Sequence, residues 1–390
     1  MQHDTQILAL ADSLADWTAN TWHDLHRIPE RGFEEVKTAA YIRARLDEIG
    51  IPYTAERTWT IGTIEGGLPG KTVALRADID ALPIQENTGL PFASEHPGMM
   101  HACGHDSHTA MLLGAARLLW EMRASLPGTV RLLFQPAEET SGGAKPMIDA
   151  GAMKGVDAVY GLHVAAQAPV GRIATRPGPM YAATDEFFID VLGKSGHGAH
   201  PVSGVDAIVI AAQIITALQT VITRETEATE SAVFTVGSIH GGTACNIIAD
   251  KVSLDCTLRT LTPEMREWMH QRIPALCEGI AQAMGGDVSI RIWKGYCAAV
   301  NNAEEAGRVL SVAERLFGAE NTKVLAASSM GAEDFAYYLL EAPGAIYHLG
   351  CGGSVSVHND GFTVDEGCLR VGVAMHAAMA FEYLTEHALQ

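Results

Sequence analysis

Three apolar runs in the first half of the chain each break off at side chains that can hold a proton or a metal. Residues 71–76 lead to Asp78 and Asp80, residues 129–134 lead to Gln-Pro-Ala-Glu138-Glu139, and residues 158–162 stop at His163. Runs this short and this apolar read as strands buried on both faces. Between the first two, Leu112, Ala115, Ala116, Leu119 and Met122 recur at helical spacing before Pro127-Gly128, which marks a helix and its stop. Strand and helix in alternation predict an α/β domain with a mixed, largely parallel sheet covered by helices. Such sheets bind ligands at the carboxyl ends of their strands, where the polar residues collect here.

The middle of the chain has a different period. Phe187, Ile189 and Val191, then Val252, Leu254, Cys256 and Leu258, then Val288, Ile290 and Ile292 recur at every second position, the pattern of strands with one wet face. Helical segments at about 205–223 and 263–284 lie among them. The order strand, helix, strand, strand, helix, strand is that of a ferredoxin-like α+β unit. Residues 345–349 then resume a core strand and 366–384 a final helix. The expected organisation is a catalytic domain of residues 1–183 and 296–390, with an inserted lid or dimerisation domain at 184–295.

Composition narrows the partners. Lys and Arg number 27 against 46 Asp and Glu, a formal net charge of −19. That repels phosphate backbones and anionic lipid, so neither nucleic acid nor a membrane is expected. The most apolar run, 205–215, reads as too short and too interrupted to span a bilayer. Seven cysteines in 390 residues are too few and too odd for a disulfide framework, which suits a reducing, cytoplasmic setting. No basic and apolar leader pattern opens the chain.

The densest chemistry lies in Met100-His101-Ala-Cys103-Gly-His105-Asp106-Ser107-His108. In an extended segment Cys103 and His105, two apart, point to one side. Thiolate and imidazole suit zinc or a similar divalent ion. Asp106 or Ser107 reads as the N-cap of the helix that follows. Of the adjacent carboxylates Glu138 and Glu139, one can bind a metal while the other stays free as a base. With His163 and with His358 in Val-His-Asn-Asp, five donors fall at strand ends or in adjacent loops. Five are too many for one tetrahedral site with an open position and suit two ions sharing a thiolate or carboxylate ligand.

Arg76-Ala-Asp-Ile-Asp-Ala-Leu-Pro83, the 101–108 segment and Gln135-Pro-Ala-Glu-Glu139 closely resemble the M20 metallopeptidases. Within them the chain is similar to the amidohydrolases of the aminoacylase, hippurate hydrolase and auxin-conjugate hydrolase type (subfamily D). Gly193-Lys-Ser-Gly-His197-Gly-Ala-His-Pro201, Gly241-Gly-Thr-Ala-Cys-Asn246, Leu258-Arg259-Thr260 and Met330-Gly-Ala-Glu-Asp-Phe335 agree, in order. The resemblance implies hydrolysis of N-acyl or N-aroyl amino acids to a carboxylate and a free amino acid, by a hydroxide bridging two divalent ions per subunit (zinc, manganese, cobalt or nickel). It makes Cys103 the bridging ligand and His105, Glu139, His163 and His358 the terminal ones. It makes Glu138 the general base and Asp80 the carboxylate that orients a ligating imidazole. His197 would polarise the scissile carbonyl, and Asn246 and Arg259 would recognise the substrate carboxylate. It also implies a homodimer or homotetramer through the lid domain. Two other readings compete: a cysteine hydrolase with Cys103 as nucleophile and His105 as base, which lacks an orienting third group, and a non-catalytic, metal-stabilised binding protein.

Overall fold

A computed structural model describes residues 3–388. The chain divides into two compact units, one of Met1–Met180, Val300–Ala327 and Asp334–Gln390, the other of Tyr181–Ala299 and Ser328–Glu333. The second unit thus takes in a return segment, Ser328–Glu333, that the sequence reading left with the first. The reason is backbone pairing: Ala182 N–H donates to the Gly331 carbonyl at 2.9 Å, and Tyr181 bridges to Ser329.

The first unit is built on an eight-stranded sheet in the spatial order Tyr53–Glu56, Trp59–Glu65, Pro127–Gln135, Leu68–Asp78, Ala158–Ala165, Gly344–Gly350, Ile173–Thr175, Thr322–Val324. Its central strands, from Pro127–Gln135 to Gly344–Gly350, run parallel to one another, and antiparallel pairs flank them. This is the mixed sheet that the alternating pattern implies. Val73 to Asp78 are all buried, which explains the unbroken apolar run. Helix His105–Met122 is buried around almost its whole circumference, as a helix inside a core must be. It packs on Gly367–Glu386 and Ala15–His26. The first contact is close because two glycines permit it. A Cβ on Gly114 would stand 2.6 Å from Val373 Cγ2, and one on Gly372 would stand 1.9 Å from Met111 Sδ.

The second unit is an antiparallel sheet in the order Ala232–Gly241, Lys251–Thr260, Ala183–Leu192, Asp287–Lys294. Helices Ala207–Thr220 and Pro263–Ala283 pack on its apolar face, giving the ferredoxin-like order. Asp206 caps the first helix through Ile208 N–H at 2.9 Å, and Thr262 with Pro263 opens the second, the expected start signals. By length and composition alone, the stretch Ala207–Glu225 is long and apolar enough to cross a membrane. That corrects the reading of this run as too short. Its inner face, Ile210, Ala211, Ile214 and Leu218, is buried in the core of the unit, while Ile208 and Val209 are exposed.

Candidate metal centre and active site

Cys103 and His105 do not lie in an extended segment. Gly104 takes φ +89°, and His105 already begins the helix. The left-handed residue turns the chain so that sulfur and imidazole still face one place, and a Cβ there would stand 2.5 Å from Val164 Cγ2. Asp106 and Ser107 do not cap this helix; Gly104 is the N-cap residue. Asp106 instead accepts from Trp22 Nε1 at 2.9 Å and pairs with His26 Nδ1 at 2.6 Å.

Donor atoms of Cys103, His105 and His163 lie within 4.8 Å of one another, as do those of Cys103, Glu139 and His358 and those of His105, Glu138 and Glu139. The first two groups share only the Cys103 sulfur, which stands 3.3 Å from His163 Nε2. All the proposed ligands and Glu138 therefore meet in one cluster of the first unit.

Hydrogen bonds behind the cluster aim two of its imidazoles. His105 Nδ1 lies 3.0 Å from the Asp80 carbonyl and 3.1 Å from Asp80 Oδ1. Its proton belongs there, and Nε2 turns to the cluster. The other Asp80 oxygen accepts from Glu139 N–H at 3.0 Å, so one carboxylate fixes two donors. His163 Nδ1 lies 2.8 Å from the Val164 carbonyl, which likewise frees Nε2. This is the usual way a protein sets a ligand's tautomer and angle. Backbone strain collects here too. Four non-glycine residues among those described have positive φ, and two of them are Ala137 (φ 58°), just before Glu138, and His358 (φ 62°). Such conformations persist where the surroundings over-determine them. Ala137 N–H is held by buried Glu35 at 2.9 Å, and His358 N–H by the Ala102 carbonyl at 2.7 Å.

The electrostatics are those of a place waiting for positive charge. Burial, then Glu139, Glu138 and Asp78, push the Cys103 thiol well above its ordinary range. Burial alone would depress His105, but Asp78, Asp80 and Glu139 carry it up to about 10. The Glu139 pairing raises His358. Buried His105 Nε2 has no hydrogen-bond partner, and Glu139 Oε1 has only His358 Nε2, at 3.0 Å, beside it. Buried polar atoms left without partners are costly. Here nitrogen, sulfur and oxygen donors converge on the same place, and such a set fits a borderline divalent ion.

The three lid candidates lie in the second unit. His197 sits in the short strand Gly196–His197, paired with Ile247–Ile248, and Gly198 N–H donates to the Asn246 carbonyl at 2.8 Å. His197 and Asn246 are thus neighbours and both exposed. Arg259 is on Lys251–Thr260, half-buried, with one guanidinium nitrogen on Thr257 Oγ1 and the Leu258 carbonyl.

Sequence reasoning overlooked Glu35, raised to about 7 chiefly by burial, and the buried group of Arg76, Asp78, Gln135 and Asp334. Arg76 reaches Gln135 Oε1 at 2.9 Å, Asp78 Oδ2 at 2.6 Å and Asp334 Oδ1 at 2.9 Å. The available signal was an arginine ending an otherwise apolar strand, since a buried guanidinium requires acidic partners.

The family model for peptidase family M20/M25/M40 matches residues 74–382. The chain belongs to that family. Relatives cover it almost end to end. It is 44% identical over 344 residues to an N-acetyl-L-cysteine deacetylase of Bacillus subtilis, spanning 88% of this chain and 82% of that one. It is 39% identical over 399 residues to the IAA-amino acid hydrolase ILR1-like 2 of Arabidopsis thaliana, spanning 99% and 90%. A dinuclear metal-binding M20 peptidase of Bacillus subtilis superposes with a TM-score of 0.86 at 37% identity, over 96% of this chain and 99% of that one. This M20 chain is accordingly a hydrolase, with a candidate metal site at the strand ends.

Outside the cluster, His26 is raised to about 9: burial opposes this, and Asp106 and Glu86 outweigh it. Its folded value exceeds the unfolded one, so its stabilisation is complete below about pH 6.5 and is lost as pH rises through 9. The stability gap between wild type and His26→Gln, read by urea unfolding of metal-stripped protein, is expected to shrink by on the order of 3 kcal/mol between about pH 6 and pH 10. A gap constant with pH contradicts a charged His26.

Proposed function

We propose that this chain hydrolyses the amide of N-acyl or N-aroyl amino acids, releasing a carboxylic acid and the free amino acid. The observation that carries the reading is the convergence of two donor groups on Cys103, with Glu138 beside Glu139 at their edge. The deacetylase and conjugate-hydrolase relatives support the substrate class. Two divalent ions, of zinc, manganese, cobalt or nickel, would be held by Cys103, His105, Glu139, His163 and His358; they supply Lewis acidity that activates water and polarises the carbonyl.

The residues of the chain do the rest. Glu138, 8% exposed and next to a ligand, takes the proton of the attacking water and returns it to the leaving amine. An amide needs that transfer because a free amide anion is a very poor leaving group. Ala199 N–H donates to His197 Nδ1 at 3.1 Å. A neutral ring so held carries its proton on Nε2, the donor a developing oxyanion requires. Arg259 offers a planar fork for the substrate carboxylate, with Asn246 beside it in this role.

A second reading has one observation in its favour: the 3.3 Å contact between Cys103 Sγ and His163 Nε2 resembles a nucleophile and base. The base would be His163, not His105. The charge around it argues otherwise, since reactive thiols sit in electropositive surroundings, whereas carboxylates surround Cys103 and raise it.

The cytoplasm remains our proposed location, supported by the buried thiols of Cys256, Cys277, Cys351 and Cys368, which form no disulfide. A homodimer through the lid is supported by exposed Ile208, Val209, Val233 and Ile239 on one helix and one edge strand; sedimentation showing only monomer at micromolar concentration contradicts it. The test of substrate class is free-amine release from N-acetyl and N-benzoyl amino acids beside the matching amides that lack the α-carboxylate. Preference for the carboxylates supports the reading, and equal rates overturn it.

A further inference from the structure

One ladder of the large sheet ends before the strand does. Ala158–Ala165 pairs with Leu68–Asp78 only as far as Gly161 opposite Arg76. On that side the later backbone groups have lost their neighbour, and buried N–H groups must find another acceptor. His108 supplies it: its Nε2 accepts from Val164 N–H at 2.9 Å. For Nε2 to accept, the ring proton must sit on Nδ1, which faces Asp78 Oδ1 at 2.6 Å. The other Asp78 oxygen accepts from Arg76 at 2.6 Å, and its main-chain carbonyl accepts from Thr109 Oγ1 at 3.0 Å. The side chains of Arg76, Asp78 and His108 are all 0% exposed.

The peptide held in this way does a second job. The Val164 carbonyl accepts from His163 Nδ1 at 2.8 Å. The second torsion of a histidine is soft, so the angle of His163 is only as well defined as that carbonyl. We propose that His108 and Asp78, backed by Arg76, are positioning residues that orient His163 toward the metal centre through the Val164 peptide. The claim rests on the reading of His163 as a metal ligand. Asp78 and His108 stand close enough to His105 to form a donor group with it. Both Asp78 oxygens and both His108 nitrogens are already engaged, which makes them supports and not ligands.

Zinc affinity of the metal-stripped chain, read by competition with a chromophoric chelator, tests this without reference to activity. His108→Gln is expected to weaken binding by about 10–100-fold, the usual effect of losing a partner behind a ligand. In a His163→Ala background the same change is expected to cost less than about 2-fold, because its route is gone. Asp78→Asn, a near-isosteric change, serves where His108→Gln does not fold; because the Asp78 charge also acts on His105, the support to His163 is read as the part of its loss that disappears in the His163→Ala background. Unaltered affinity, or an equal loss in both backgrounds, overturns the proposal. If His163→Ala leaves affinity intact, His163 is no ligand and the site reading fails with it. If His163→Ala weakens binding while His108→Gln does not, the proposal fails alone.

Discussion

Glu138→Gln is expected to lower kcat for an N-acyl amino acid by about 10²–10⁴-fold, the range for losing a general base, with metal content per chain unchanged. The separation follows from the geometry. Glu138 lies within 4.8 Å of His105 and Glu139 but belongs to neither donor group that shares Cys103. The glutamine keeps the shape and removes only the ability to take a proton. Kinetics and metal analysis on one sample check it. Near-full activity would leave Glu138 no part in the proton transfer, and loss of metal would make it a ligand.

Cys103→Ala is expected to have the larger effect on metal. The sulfur is the one donor that the group with His105 and His163 has in common with the group of Glu139 and His358, so its loss leaves both a ligand short. Removal of a mere partner behind a ligand costs about 10–100-fold in affinity; removal of a shared ligand should exceed about 100-fold and take bound metal below one ion per chain. His358→Ala, which touches one of those groups, should weaken one ion only. Binding should also release protons, since Cys103 and His105 both hold theirs in the metal-free chain, and affinity should therefore rise with pH. Metal content equal to wild type in Cys103→Ala would remove the sulfur from the centre.

The fold was legible because the central strands of each unit keep one burial pattern. Val73 to Asp78 is buried on both faces and reads as an unbroken apolar run, and Ala183–Leu192 is buried on alternate residues and reads as alternation. The cluster of donor side chains was legible because cysteine, histidine and paired carboxylates gather at strand ends. What stayed hidden depended on turns and on backbone. Gly104 turns an apparently extended Cys-x-His into the start of a helix, so the two side chains meet for a different reason from the one their spacing suggests. Asp106 looked like a cap but is drawn away by His26 and Trp22, some 80 positions earlier. His108 was visible in the same segment as Cys103. Its role was not, because that role runs through the Val164 peptide, whose freedom follows from where a ladder stops.

The most direct measurement is amine release from an N-acetyl amino acid by chelator-stripped protein, titrated with Mn²⁺ or Zn²⁺ while bound metal is counted. A hydrolytic centre at Cys103 requires no turnover in the stripped chain, and activity that rises with added metal and saturates at two ions per chain. Turnover that survives stripping, or that ignores metal as the cluster fills, would contradict it.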